Sequence, residues 1–195
     1  LCEYSLNKMD YQILYNILND GSIQLTFSIN KQTEFSEIPR FGSRMILPQN
    51  FHHLTYYGKG PYENYQDRNT ASFVGIYKDF TENQYYKGYI RPQESGNRTG
   101  IRWLELGDEN GHGVSIEGLQ ELNFTAIHHS TEDLDPGYTK KQQHPTDLPP
   151  RKNIYLNIDL NQRGIGGDDS WKSLPNEQYL LKNSDYEFSY ILKLK

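Results

Sequence analysis

The chain has 195 residues, 35% hydrophobic and 13% aromatic, with 16 tyrosines, one cysteine and a formal net charge of −5. That length suits one domain with a sizeable core, and the aromatic content suits a β-rich protein with polar loops rather than a disordered one, despite a mean hydropathy of −0.84. The acidic balance without any Lys/Arg cluster argues against nucleic-acid and anionic-membrane partners, and the lone Cys2 excludes an intrachain disulfide and a cysteine metal cage.

No apolar run is long enough to span a bilayer, and no signal peptide is read at the start. The chain begins with Leu1, which leads us to expect a piece of a longer polypeptide. The compartment stays open between cytoplasm and periplasm.

Tyr11–Leu18 has the apolar content of a strand or a helix. The following Asn19-Asp20-Gly21-Ser22 signals a turn, and Ile23–Ile29 alternates strictly, so the pair reads as a β-hairpin. Alternation puts Ile23, Leu25, Phe27 and Ile29 on one buried face. Ile38–Pro48 is a short strand bounded by prolines, and His53–Tyr57 is the next strand. Gly58–Arg68 reads as a loop, with Glu63, Asn64, Gln66, Asp67 and Arg68 crowded behind Gly60-Pro61. Its glycines lack the βαβ setting of a nucleotide fingerprint. Two uses are open for it: an ordered loop tied by a Glu63–Arg68 or Asp67–Arg68 pair, or the lining of a site.

Ser72–Tyr77 and Asn83–Ile90 read as strands, and Gln93–Gly100 as a polar turn. Ile101–Leu106 alternates, with Trp103 on the face of Ile101 and Glu105. Asp108–Gly113 is a turn without the ligand spacing of a calcium loop. Gly113–Gly118 and Leu122–Ile127 are two more strands. Ser130–Asp135 makes one capped helical turn, which Pro136-Gly137 stops. His128, His129 and His144 offer imidazoles, but no carboxylate at ligand spacing completes a metal site. Ile154–Leu160 and Tyr186–Leu194 are strands. Short strands divided by Gly and Pro turns, with no repeat or linker, make an antiparallel β-sandwich. The sequons at Asn97 and Asn123 carry weight only on a secretory route.

After the strand at Ile154 stands Gly164-Ile165-Gly166-Gly167-Asp168-Asp169-Ser170-Trp171. Its glycines permit positive φ and close approach, its carboxylates accept from sugar hydroxyls or turn amides, and its tryptophan offers a face to a hexose. Taken alone it is either a tight turn with a core tryptophan or a sugar platform.

Two stretches together point to a family. Gly58-Lys59-Gly60-Pro61-Tyr62-Glu63-Asn64-Tyr65-Gln66-Asp67-Arg68 resembles the GxGPxENYxDR signature of the C-terminal domain of family 2 glycoside hydrolase β-galactosidases. Leu156-Asn157-Ile158-Asp159, followed by Gly164–Trp171, resembles a second signature of that domain. The resemblance runs in order from about Pro39 to Trp171. It implies an antiparallel β-supersandwich shared with galactose mutarotases, and a parent enzyme that hydrolyses terminal β-galactosides with retention.

The resemblance also implies that two catalytic glutamates and a magnesium site lie in a separate barrel that this chain does not match. Residues 1–195 would then be one accessory domain, without its first strands if the cut falls there, inactive alone and with no cofactor of its own. Trp171 matches the family tryptophan that contacts sugar at the active-site mouth. Asp168 and Asp169 would shape its loop, while Glu63, Asn64, Asp67 and Arg68 border the mouth and brace it. The implied partners are a β-galactoside, the remaining domains and further copies of the full-length enzyme in a homo-oligomer. The roles of His128, His129 and His144 are left open. A stand-alone carbohydrate-binding module, an epimerase with a His–Glu acid–base pair and a purely structural interface domain are the alternatives.

Overall fold

The computed structural model describes residues 2–6, 9–30, 37–137, 141–167, 173–182 and 184–195. The expected hairpin is present, with β2 (Met9–Ile17) and β3 (Ile23–Ile29) paired antiparallel from Tyr11↔Ile29 to Ile17↔Ile23. Asp20 Oδ1 accepts the Ser22 N–H at 3.0 Å, and Gly21 turns the chain at φ +83°, a conformation open to glycine. Leu25, Phe27 and Ile29 are buried, as the alternation requires. β1 (Cys2–Leu6), not anticipated from sequence, adds to the outer side of β2.

β9 (Gly113–Ile127) is the strand on which the sheet forks. Its first part pairs with β12 (Tyr186–Leu194), which continues to β3. Its last part pairs with β10 (Ile154–Gln162), which continues to β5 (Arg40–Leu47). On the opposite side β9 pairs with β8 (Arg98–Gly107), followed by β6 (His53–Gly60) and β7 (Phe73–Phe80). The two branches close on one another. Phe41 of β5 meets Phe188 of β12 edge-on at 5.2 Å and Tyr11 of β2 at 6.2 Å, and Ser43 Oγ lies 3.0 Å from Tyr190 OH. Phe27 and Phe188, directly opposite in the β3–β12 register, stack at 4.8 Å. Each such fully buried side chain stabilises the fold by about 1.5–3 kcal/mol through area removed from water. The chain is thus the antiparallel all-β sandwich expected.

Several elements depart from expectation for physical reasons. Ile38–Pro48 is not one strand: β4 (Glu37–Ile38) pairs with β11 (Leu181–Lys182) in a separate small sheet, and β5 begins beyond Pro39. Proline cannot donate a ladder hydrogen bond, so the chain changes sheets there. Gly113–Gly118 and Leu122–Ile127 are one strand, β9, whose register with β8 slips between Ile101 and Trp103. That irregularity also reverses a face. Ile101, Leu104 and Leu106 are buried together, whereas Trp103 and Glu105 lie half-buried on the other side.

Gly58–Gly60 belongs to β6 rather than to the loop, since it continues the ladder with β7 from Gly58↔Gly75 to Gly60↔Phe73, and the close approach of Ile101, whose Cδ1 would stand 2.3 Å from a Cβ at Gly58, calls for glycine there. Asn83–Ile90 is not a strand. Its backbone takes side-chain partners, as where the Tyr86 N–H donates to Ser95 Oγ at 2.9 Å, and Gln84 is buried between Asp79 and Arg98. The helical turn does form, as α1 (Thr131–Leu134), with Ser130 and Asp133 in a reciprocal capping box. No helix among the described residues is long and apolar enough to cross a membrane.

Candidate functional site: a polar loop cluster joining the two signatures

The segment beyond β6 turns through a cis Gly60–Pro61 bond into a tight turn, in which the Tyr65 N–H donates to Arg68 O at 3.1 Å and the Arg68 N–H to Tyr65 O at 2.9 Å. Asn64, 0% exposed, is its anchor. Its amide donates to Lys59 O (3.1 Å) and Tyr62 O (3.0 Å), and its Oδ1 accepts from the Thr99 N–H (3.0 Å) and hydroxyl (2.5 Å). The facing Asn97 returns a side-chain bond to Asn64 O at 2.7 Å. Gln93–Gly100 is therefore polar in composition yet buried over Ser95–Thr99, because its groups satisfy the loop opposite. That burial closes the Asn97 sequon, and Asn123 is buried as well.

Of the two ties considered for the first signature, the Glu63–Arg68 pair forms. Glu63 accepts from Arg68 Nη2 at 2.6 Å, from the Tyr89 hydroxyl and from the Gly96 N–H at 2.8 Å. Arg68 also lies over the rings of Tyr65 and Tyr89, 5.3 and 5.8 Å from their centroids. Burial pushes the Tyr65 and Tyr89 phenols above their ordinary range, and the Glu63 carboxylate adds to both shifts.

Asp67 instead reaches across to the second signature. Its Oδ2 accepts the Gly166 N–H at 2.7 Å, and a Cβ on Gly164 would stand only 2.5 Å from that oxygen. Glycine at 164 is thus a requirement of close approach. Gln66 donates to Gln162 O, and the Gly164 N–H donates to Tyr179 O at 2.8 Å. Asp67 Oδ1 is buried without a hydrogen-bond partner among the described residues. Asp168, Asp169 and Trp171, expected to form and crown this loop, lie outside the described residues.

Beneath the junction lies an ion cluster that the sequence did not reveal. Register places Asp159 of β10 opposite Gly42 of β5, at an irregularity of the ladder, and the missing Cβ leaves room for the carboxylate. Arg40 binds Asp159 at 2.5 Å and Glu94 at 3.2 Å. Burial raises both carboxyls from their usual range, against the pull of the Arg40 guanidinium. Burial alone would lower Arg40, but the two carboxylates outweigh it and hold it charged.

A cleft of about 620 Å³ borders the first-signature loop, lined by Tyr62, Glu63, Arg68, Tyr86, Lys87 and Arg98 among others. Arg98 is 4% exposed and donates to Tyr56 OH, Gln84 Oε1 and the carbonyls of Gly96 and Asn97. Ring faces beside fixed donors and acceptors suit a polyhydroxylated ligand.

The histidines left open have defined contacts. Carbonyls only accept, so His128 donates through Nδ1 to Arg151 O (3.2 Å), and its Nε2 takes the Thr81 hydroxyl (2.9 Å). His129 donates to Leu148 O (3.3 Å) and His144 to Ile90 O (3.0 Å). These rings fasten the irregular stretch around residues 144–151, and burial lowers the His129 pKa. A grouping missed from sequence is His52, His53 and Glu109, whose ligand atoms lie within 4.8 Å of one another. No spacing signal could have found it, since the carboxylate comes from a distant turn.

A family model described as beta-galactosidase small chain matches residues 2–192. A β-galactosidase of Priestia megaterium is 32% identical over 182 residues, which cover 93% of this chain and 17% of that protein. The β-galactosidase BgaC of Bifidobacterium adolescentis is 33% identical over 177 residues, 89% of this chain and 16% of that protein. The chain thus spans about a sixth of the length of these curated relatives. A solved structure provisionally assigned as an aldose 1-epimerase of Escherichia coli covers 99% of this chain and 64% of its own, at 11% identity and a TM-score of 0.47, too loose an overlap to bear on fold or function. With nearly its whole length matched by one family, this chain belongs to the β-galactosidase small chain family.

Proposed function

We propose that this chain is one accessory domain of a retaining β-galactosidase, supplying a carbohydrate-facing wall to a site whose catalytic carboxylates lie in another part of the enzyme. In such chemistry one carboxylate attacks the anomeric carbon while a second protonates the leaving oxygen, the two about 5 Å apart. The observation that carries the reading is the Asp67–Gly166 bond. It fixes the start of the Gly164–Trp171 run to the buried cluster of the first signature, a rigid base from which Trp171 can stack on a sugar. Asp168 and Asp169 shape that loop, and Glu63, Asn64, Asp67 and Arg68 brace it.

The magnesium implied by the resemblance belongs with the carboxylates outside this chain. His52, His53 and Glu109 are poor donors for it, since magnesium prefers oxygen ligands and retained water. The remaining domains and further copies of the full-length protein are the partners in this proposal.

The test is a lactose and galactose titration of the chain by NMR, beside Trp171→Ala in the full-length protein. Millimolar or absent binding to the chain is expected, with the substitution weakening galactoside affinity about 2- to 10-fold. Micromolar binding by the chain alone would favour an independent binding module. An unchanged affinity in the folded variant would remove Trp171 from the wall.

A further inference from the structure

We propose that His52, His53 and Glu109 form a binding site for a divalent transition metal ion of the zinc type. The three residues come from two neighbouring elements. His53 opens β6 opposite Gly107, the last residue of β8, and Glu109 lies in the turn that follows. That turn is fixed: Asp108 Oδ1 accepts the N–H groups of Asn110 (2.9 Å) and His112 (3.0 Å), and Gly111 supplies φ +86°.

One ligand atom from each residue lies within 4.8 Å of the others. Ligands about 2.1 Å from zinc in a tetrahedron stand roughly 3.4 Å apart, so a modest closure of the exposed Glu109 completes three positions and leaves a fourth for water.

Two further observations point to an ion. His53 Nε2 is buried and has no hydrogen-bond partner among the described residues, an orphaned donor atom that a metal would satisfy. His52 Nδ1 lies 3.3 Å from Glu82 Oε1, the outer carboxylate that fixes a metal-binding imidazole with its Nε2 lone pair free. Phe80 holds both rings, 5.6 Å from His52 and 5.1 Å from His53, while the two imidazoles meet edge-on at 4.7 Å. Two imidazoles and one carboxylate select zinc, cobalt or nickel over magnesium or calcium. The bound ion would clip the start of β6 to the β8–β9 turn, and this assignment stands apart from the sugar-wall reading.

The test is calorimetric titration of the metal-free chain with zinc chloride, then with magnesium chloride. One saturable zinc site is expected, with no magnesium binding at the same concentrations. Glu109→Gln and His53→Ala each weaken zinc binding at least about tenfold, and Glu82→Gln weakens it about tenfold or more as an outer partner. His112→Ala, in the same turn but outside the cluster, leaves it unchanged. Glu109 is exposed, so its variant keeps the fold, checked by circular dichroism. Absence of saturable zinc binding would overturn the site. So would zinc affinity unaltered by both Glu109→Gln and His53→Ala, or magnesium binding of equal strength.

Discussion

Two parts of this molecule are equally shut off from water and are held by different forces. Between the sheet branches, Phe27, Phe188 and Tyr190 are 2%, 1% and 1% exposed and stabilise by apolar area and close packing. Under the signature loops, Asn64, Ser95 and Asn97 are each 0% exposed and Asp159 is 1% exposed, yet that interior is polar. Apolar burial tolerates small adjustments of angle, whereas a buried amide or carboxylate needs each partner in place. The polar interior therefore fixes the position of a loop more narrowly than an apolar one would, which is what the proposed sugar wall requires.

That contrast can be broken from either side. Phe188→Ala should cost the most, about 3–5 kcal/mol in urea unfolding, because it leaves a cavity between the branches. A loss below 1 kcal/mol would mean that the branches collapse to fill the space. Asn64→Ala should cost about 2–3 kcal/mol, since the backbone groups of Lys59, Tyr62 and Thr99 lose their partner in a dry setting. Water entering the gap would show as a near-neutral variant and would erase the distinction drawn here.

Gly164→Ala should cost about 1–3 kcal/mol by driving a methyl group against Asp67. Removing the obstacle with Asp67→Ala should make the pair non-additive by at least about 0.5 kcal/mol. Additive losses would deny the contact between the signatures.

The smallest effect concerns pH. Hydrogen bonds from Arg151 hold the Asp133 carboxyl down to about 2, so the folded state favours the ionised form. Its contribution is full above the ordinary aspartate range near pH 4 and is lost as pH falls through about 2. Asp133→Asn should flatten that acid limb slightly, because solvent screens the partly exposed pair. An identical limb in the variant would assign acid sensitivity elsewhere.

Two adjacent-histidine pairs show where sequence reading stops. His128-His129 and His52-His53 look alike in the chain, and His129 and His53 each keep one buried nitrogen without a partner among the described residues, yet the first pair donates to the carbonyls of Arg151 and Leu148, while the second is grouped with a carboxylate 56 positions beyond His53. Nothing local distinguishes them.

What sequence alone determined is the period-2 alternation of β3 and β12, the hairpin turn at Gly21, the cap at Ser130 and the location of both signatures. These depend on neighbours a few residues apart, whose backbone preferences and side-chain periodicity are written in order. Tertiary structure alone decided the rest. The register slip between β8 and β9 set the face of Trp103, and β10 against β5 brought Asp159 to Arg40. Asp67 met Gly166 across 99 positions of chain. Such meetings follow from which strands pair and in what register, a choice made by burial over the whole sheet rather than by any local run.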